Sequence, residues 1–119
     1  MLFRVDPGSS VPLGDQIAAS VRGAIADGSV PAGERLPAAR ALAASLGVNV
    51  HTVLRGYQRL KEEGLIELRR GRGAVVTGAA APGRARLGEA AERLISEARH
   101  LGLTDEEIVR VVRVGLEGG

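Results

Sequence analysis

Two short stretches of this 119-residue chain carry side chains that suit the recognition of nucleic acid. In the first, Asn49, His51 and Thr52 follow Gly47 at the predicted start of a helix. Amide, imidazole and hydroxyl groups in that place can hydrogen-bond to base edges in a DNA major groove. The second stretch, Arg69-Arg-Gly-Arg-Gly73, combines guanidinium groups that suit phosphates or a narrow minor groove with glycines that allow close backbone approach. Together the two stretches favour DNA binding.

Three helices are predicted before and around the first stretch. Apolar side chains recur at helical spacing over residues 12–28 and 37–46, and Gly47 supplies the turn into the third helix. Asn49 is expected to cap the third helix, because its side-chain oxygen can accept a hydrogen bond from an N–H of the first turn. Tyr57 lies on the apolar stripe of that helix and is assigned to the core.

Two strands are predicted after the third helix. The apolar runs at 65–68 and 74–77 flank the Arg/Gly stretch, where Gly71 and Gly73 permit a tight turn. Three helices and a hairpin are the layout of a winged helix-turn-helix, so the predicted fold class is mainly α with a small β-hairpin (α+β). Residues 1–77 are expected to form this DNA-binding domain.

The C-terminal third predicts a linker and two amphipathic helices. Residues 78–84 are rich in Ala, Gly and Pro, which is typical of a linker. Residues 85–119 carry an apolar stripe and include Thr104 and Glu107 at capping-box spacing. Two such helices cannot bury their apolar faces alone, so we expect a helical dimerisation arm of a homodimer. The residues expected at that interface are Leu87, Ala91, Leu94, Ile95, Ala98, Leu101, Ile108, Val112 and Leu116.

Charge and composition limit the classes of protein that fit. The net charge is +2, but residues 47–77 hold six basic and three acidic residues, so the positive excess coincides with the expected DNA-facing segment. The chain has no cysteine, no apolar stretch long enough to cross a membrane and no secretory core after Met1. We therefore expect a bacterial cytoplasmic protein, nucleoid-associated when bound to DNA, without a membrane partner.

Metal binding and catalysis are disfavoured by the residue pattern. His51 and His100 are the two histidines, and neither has a cysteine or paired carboxylate at ligand spacing. The Gly71-Arg-Gly73 segment lacks the strand–loop–helix order and the Lys-Ser/Thr ending of a nucleotide-binding loop. We expect no cofactor, no metal and no enzymatic activity.

Ordered motifs between residues 10 and 77 closely resemble the N-terminal domain of the GntR family of bacterial transcription regulators. The matching positions are Pro12-Leu13-x-x-Gln16-Ile17, Pro31-x-Gly33-x-Arg35-Leu36-Pro37, Arg40-x-Leu42-Ala43, Leu46-Gly47-Val48, Thr52-Val53 and Glu63-Gly64-Leu65-Ile66, with Gly71-Arg72-Gly73. Most members carry a large ligand-binding domain, whereas the short tail here is similar to the two-helix arm of the YtrA-type subfamily. The resemblance implies a homodimeric repressor, often of transporter operons and frequently of its own operon.

Some positions depart from the family pattern. Ala38-Ala39 stand where many members have Ser-Glu, so the helix cap and its carboxylate are missing, although Arg40 remains. Val50 and Leu54 stand where better-studied members place arginines. Base-reading arginines cannot be carried onto these two positions, and the operator sequence is expected to differ from theirs.

Each expected DNA contact has a plainer alternative. Arg40 would contact a phosphate or a guanine edge, or be an ordinary solvated arginine. Asn49 could be only a cap and Thr52 only a filler of the first turn, while Arg55 and Arg59 could pair with nearby acids instead of phosphates. The full set of expected DNA-binding residues is Arg40, Asn49, His51, Thr52, Arg55, Arg59, Arg69, Arg70, Gly71, Arg72 and Gly73.

The functional hypothesis is a sequence-specific regulator that binds a double-stranded inverted-repeat operator as a homodimer. Two alternatives remain at this point: a sequence-tolerant architectural DNA-binding protein, and a protein-interaction module on a winged-helix scaffold. The two-helix arm offers little volume for a small molecule, so an unknown effector would need a pocket made by the dimer. Repression is not distinguished from activation by the residues themselves.

Overall fold

The computed structural model describes residues 3–78 and 81–118. Five α-helices and one antiparallel hairpin follow in the order α1 (Leu13–Ala26), α2 (Ala39–Leu46), α3 (Val50–Glu62), β1 (Ile66–Arg69), β2 (Gly73–Val76), α4 (Ala81–His100) and α5 (Asp105–Gly118). The predicted fold class, mainly α with a small hairpin, is confirmed. Among the described residues, no helix has both the length and the apolar content to span a membrane.

The chain separates into two compact units at Gly88, so α4 begins in the first unit and continues in the second. In the first unit α1 and α3 supply the centre of the core. Ile17 and Val21 of α1 are fully buried in one cluster with Val53 and Leu60 of α3. Burial of such aliphatic side chains is the main source of stability for a domain of this size.

A buried ion pair joins the C-terminal ends of α1 and α3. Arg22 is 4% exposed and donates to Glu63 through Nε at 2.8 Å and through Nη2 at 2.7 Å. Gly88 of α4 lies against this pair, and a β-carbon there would come within 2.8 Å of Glu63 Oε1. The bidentate geometry compensates for removing the guanidinium from water.

A third backbone segment extends the hairpin. β1 and β2 pair antiparallel, and residues 33–36 add to the free edge of β2. The Leu36 N–H donates to the Ala74 carbonyl at 2.8 Å, and the Val76 N–H donates to the Glu34 carbonyl at 2.9 Å. The sequence analysis did not predict this segment as part of the sheet, and it anchors the hairpin to the helical core.

The predicted linker at 78–84 is wrong from Ala81 onward. Ala79 and Ala80 lie outside the described residues, but α4 begins at Ala81. Ala81 and Ala85 are fully buried in the core cluster of the first unit. The predicted start of the arm at residue 85 therefore falls inside α4, at a residue that belongs to the core of the first unit.

The second unit contains the rest of α4 and all of α5. The predicted capping box at the start of α5 is confirmed, because the Thr104 N–H donates to Glu107 Oε1 and the Glu107 N–H donates to Thr104 Oγ1. Ala98 and Ile108 are buried within this unit, where they hold the helical pair together, and Ile108 also lines an apolar groove between the two helices. Other predicted interface residues remain exposed at least in part, namely Leu87 (in the first unit), Ala91, Leu94, Ile95, Leu101, Val112 and Leu116.

Candidate nucleic-acid interface

The start of α2 is fixed to α3 by one hydrogen bond. The Tyr57 hydroxyl donates to the Pro37 carbonyl, just before α2, at 2.7 Å. Tyr57 is buried as predicted, and burial raises the pKa of its hydroxyl to about 12, so the hydroxyl keeps donating well into the alkaline range. Arg40 lies on the first turn of α2 with its side chain exposed.

The turn between α2 and α3 has the predicted chemistry. Gly47 adopts a left-handed conformation with φ of 70°, which a residue with a β-carbon rarely adopts. Asn49 Oδ1 accepts a 2.8 Å hydrogen bond from the His51 N–H, which confirms the predicted cap of α3. Ala38, the N-cap of α2, makes no side-chain cap, as the departure from the family pattern implied.

The three polar residues predicted on the first turn of α3 do not share one environment. Asn49 and His51 are exposed, whereas Thr52 is 8% exposed and its hydroxyl accepts a 3.4 Å hydrogen bond from Arg55 Nη2. The prediction that Thr52 projects towards DNA is therefore wrong. Thr52 stands four residues before the buried Gly56, on the side of the helix that packs against α1, and this spacing was visible in the sequence.

The opposite face of α3 is exposed over two turns. His51, Leu54, Arg55 and Gln58 follow the i, i+3, i+4, i+7 spacing that places side chains on one helix face, and all four are exposed. Such a face carries one cation, two hydrogen-bonding side chains and one aliphatic group. It has the polarity of a surface that reads base edges.

Arg59 is engaged with acids of the protein, which was the alternative considered for it. Its Nη1 lies 3.4 Å from Asp15 Oδ1, and its Nε lies 3.5 Å from Glu63 Oε2. The side chain is nevertheless 43% exposed. Exposed pairs of this kind are weak, so a phosphate could compete for the guanidinium.

The hairpin presents its arginines at the tip. Arg69 pairs with Gly73 across the sheet, and the Arg72 N–H donates to the Arg69 carbonyl at 3.1 Å. Gly71 sits at the third position of this turn with φ of 79°, as a type II turn requires. Arg69 is held by Glu67, with Nη2 at 2.8 Å from Oε2. We name this hairpin, residues 66–76, the wing.

Three predicted arginines have charges that are not neutralised within the chain. Arg40, Arg70 and Arg72 are exposed, and in the part of the chain that the structure describes their side chains make no hydrogen bond or ion pair. An unpaired exposed guanidinium is ready to bind a phosphate without losing an existing partner.

Arg35 is a basic residue that the sequence analysis did not assign to the site. Its backbone bridges Val75, and its Nε lies 3.9 Å from the position of a β-carbon on Gly73, so it stands beside the wing. The side chain is exposed. In the sequence Arg35 is part of the Pro31-x-Gly33-x-Arg35 motif. That motif indicates the family, but by itself it does not indicate a DNA contact.

The structure shows no sign of a metal centre in the residues it describes. Over 3–78 and 81–118, no three His, Cys, Asp or Glu side chains come close enough to hold a metal ion.

Three helices, a capped and exposed third helix and an arginine-tipped hairpin define a winged helix-turn-helix protein. Residues 13–76 match the family of bacterial regulatory proteins described as the gntR family. The chain therefore belongs to the GntR family, as the sequence motifs indicated.

Relatives with known names agree with this assignment. HTH-type transcriptional regulator Rv1152 of Mycobacterium tuberculosis is 37% identical over 108 residues, which cover 91% of this chain and 88% of that protein. HTH-type transcriptional repressor YtrA of Bacillus subtilis is 36% identical over 76 residues, covering 64% of this chain and 58% of that protein. The solved structure of YtrA from Sulfolobus acidocaldarius, a GntR-family transcription factor, matches with a TM-score of 0.63 and 33% identity, covering 81% of this chain and 99% of that one.

The similarity to YtrA proteins confirms the predicted resemblance. This chain is a DNA-binding transcription regulator, and its relatives are regulators and not enzymes, which confirms the prediction that it is no enzyme.

Proposed function

We propose that this regulator is a homodimeric repressor that binds an inverted-repeat operator in the bacterial cytoplasm, in its own operon or in a transporter operon. The first turn and exposed face of α3 would enter the major groove, with the wing against the flanking backbone or minor groove. The observation that carries the proposal is the exposed α3 face beside three arginines that have no partner in the described chain. The name of the Bacillus subtilis relative supports repression as the outcome.

The assignment of individual contacts follows from exposure and pairing. Arg40, Arg70 and Arg72 are proposed to bind phosphates, because their charges are not neutralised by the protein. His51 and Arg55 are proposed to reach base edges, since they lie on the exposed face of α3. Secondary contacts are proposed for Asn49, Arg59, Arg69, Gly71 and Gly73, whose side chains or backbone are engaged in the fold itself.

The second unit is proposed to be the dimerisation arm. Its helices leave an apolar groove of about 350 Å³, lined by Leu94, Ile95, Val109, Val112 and Leu116 among others. A second copy of the arm would cover this surface and bring two winged helix-turn-helix units together. An effector, if the regulator takes one, would bind in a pocket formed where the two copies meet and alter the dimer.

Sedimentation equilibrium tests the arm. Val112→Glu places a charge in the groove and should give a monomer, whereas Val114→Glu, on the other side of α5, should leave the dimer intact. A monomeric wild-type chain at micromolar concentration would contradict the homodimer. The reverse result for the two variants would move the interface to the other side of α5.

Binding to the upstream region of the regulator's own operon tests operator recognition. Footprinting and mobility shift should show two related half-sites in inverted orientation and much weaker binding to random duplex. Arg40→Ala and Arg72→Ala should each weaken binding and reduce the magnitude of the slope of log affinity against log salt by about 2, roughly 1 for each of the two copies in the dimer. Arg86→Ala is the charge-matched control, because Arg86 lies on α4 and donates to the Ala26 carbonyl at the end of α1.

Two results would overturn the proposal. Equal affinity for every duplex at physiological salt would favour the architectural alternative. Unchanged binding in the combined Arg40→Ala and Arg72→Ala variant would show that another surface holds the DNA.

A further inference from the structure

We infer that Leu54 reads the 5-methyl group of a thymine in the operator; this rests on the proposed sequence-specific function. Leu54 is 46% exposed on the face of α3 that also carries His51, Arg55 and Gln58. It lies one helical turn after His51, within the part of α3 that would enter the groove.

The exposure of Leu54 is not explained by packing. The core side of α3 is supplied by Val53, Tyr57 and Leu60, all of them buried. Leu54 lies outside this core side, so roughly half of its surface stays in water in the free protein. Covering that surface on binding is favourable, and it is covered best by an apolar group.

The major groove offers such a group at one base only. The edges of adenine, guanine and cytosine present hydrogen-bonding atoms, whereas thymine adds a C5-methyl group beside its O4 acceptor. A leucine has no donor or acceptor, so it leaves a polar edge unsatisfied and gains from contact with the methyl. Burial of one methyl-sized group corresponds to about a fourfold change in affinity, from ~0.8 kcal/mol.

Leu54 and Arg55 lie on opposite edges of the exposed face of α3. Arg55 is on the edge nearer α1, where its β-carbon lies 3.6 Å from the position of a β-carbon on Gly14. On an ideal helix Leu54 lies on the other edge of the exposed face, towards Tyr57, whose hydroxyl reaches Pro37 before α2. Leu54 therefore lies between the central polar side chains of α3 and the start of α2.

Replacement of thymine by deoxyuridine isolates the methyl group. An operator is first selected by the wild-type chain from random duplex, and each thymine of one half-site is then replaced singly by deoxyuridine. Wild-type protein should lose about fourfold in affinity at one such position. Leu54→Ala should show no loss at that position, since the variant and the base change remove the same contact.

A matched control tests whether the loss of the deoxyuridine penalty is specific to Leu54. Val11→Ala truncates a similarly exposed aliphatic side chain in the segment before α1 and should retain the deoxyuridine penalty at the position assigned to Leu54. Circular dichroism and thermal unfolding of Leu54→Ala would check that the variant keeps its fold.

The outcomes separate this inference from the proposed function. If no sequence is enriched from random duplex, sequence-specific recognition itself fails. If a specific operator emerges but no deoxyuridine weakens wild-type binding, or Leu54→Ala keeps every penalty, the inference on Leu54 is overturned and the operator-binding proposal stands.

Discussion

The carbonyl oxygen of Gly14 in α1 lies 2.8 Å from the point that a β-carbon on Gly56 of α3 would occupy. Real β-carbons do not come that close to another atom, and the Ile17 side chain stands 3.2 Å from the same point. The two helices reach this separation because both residues are glycine. The position of α3, and with it the DNA-facing side chains, depends on this crossing.

Gly56→Ala is therefore expected to lower the free energy of unfolding by about 2 kcal/mol, the middle of the range for overpacking a core. Denaturant unfolding followed by circular dichroism measures the change. Gly83→Ala is the control, because Gly83 is exposed in α4 and its nearest neighbour atom, Arg86 Nη2, is 3.9 Å away. That variant should keep or slightly raise stability; an equal loss in both would refute the crossing as the cause.

Removing the charge of Glu63 should destabilise the first unit. Glu63→Gln removes the carboxylate that accepts from two nitrogens of the 4%-exposed Arg22, and we expect a loss of about 2 kcal/mol, below the ~3–5 kcal/mol of a fully buried pair because Glu63 is 24% exposed. Glu67→Gln, which breaks the half-exposed pair with Arg69, should cost under about 1 kcal/mol. Similar losses for the two variants would argue against the buried pair as a stabilising element.

The burial of Tyr57 predicts that the free energy of unfolding falls in alkaline solution. Its folded-state pKa of about 12 lies above the ordinary tyrosine value of 10.0, so its contribution to stability is complete below pH 10 and declines as the pH rises towards 12. Tyr57 is the single tyrosine of the sequence, so absorbance of tyrosinate reports on it alone. Tyr57→Phe removes the titrating group and the hydrogen bond to Pro37, and should cost about 1 kcal/mol at neutral pH. A tyrosinate titration midpoint near 10 in the folded chain would contradict the burial argument.

Ala38→Ser should stabilise the protein. Ala38 is the N-cap of α2 with the extended backbone of a capping residue, and it makes no side-chain bond to the first turn. A serine there can accept a free N–H of that turn, which is worth about 1 kcal/mol. Ala41→Ser, in the exposed interior of the same helix, should instead cost about 0.5 kcal/mol through helix propensity. Thermal unfolding compares the two, and a gain at both positions would exclude capping as its source.

Local chemistry predicted much of the fold. The turn at Gly47, the cap at Asn49 and the capping box at Thr104 and Glu107 depend on residues a few positions apart, and the structure has all of them. Helical spacing also placed Tyr57 in the core. Short-range rules suffice where the stabilising partner is within one turn of the chain.

Long-range contacts explain what was missed. The pairing of residues 33–36 with β2 joins parts of the chain that no local pattern connects. Ala81 and Ala85 lie in an Ala-, Gly- and Pro-rich segment that is typical of linkers, and only tertiary packing makes them core residues. At the candidate site, Thr52 was misplaced because its polarity was weighed above its position four residues before Gly56.

The burial of Ala81 and Ala85 determines where the chain can be truncated to give a stable N-terminal fragment. A fragment ending at Thr77 would expose to water the core residues that Ala81 and Ala85 cover. The exposed aliphatic surface would favour self-association of the fragment. A fragment extended through Gly88 keeps Ala81 and Ala85 and so covers this part of the core. We therefore expect a stable DNA-binding fragment to extend through Gly88 and not to end with the family match at residue 76.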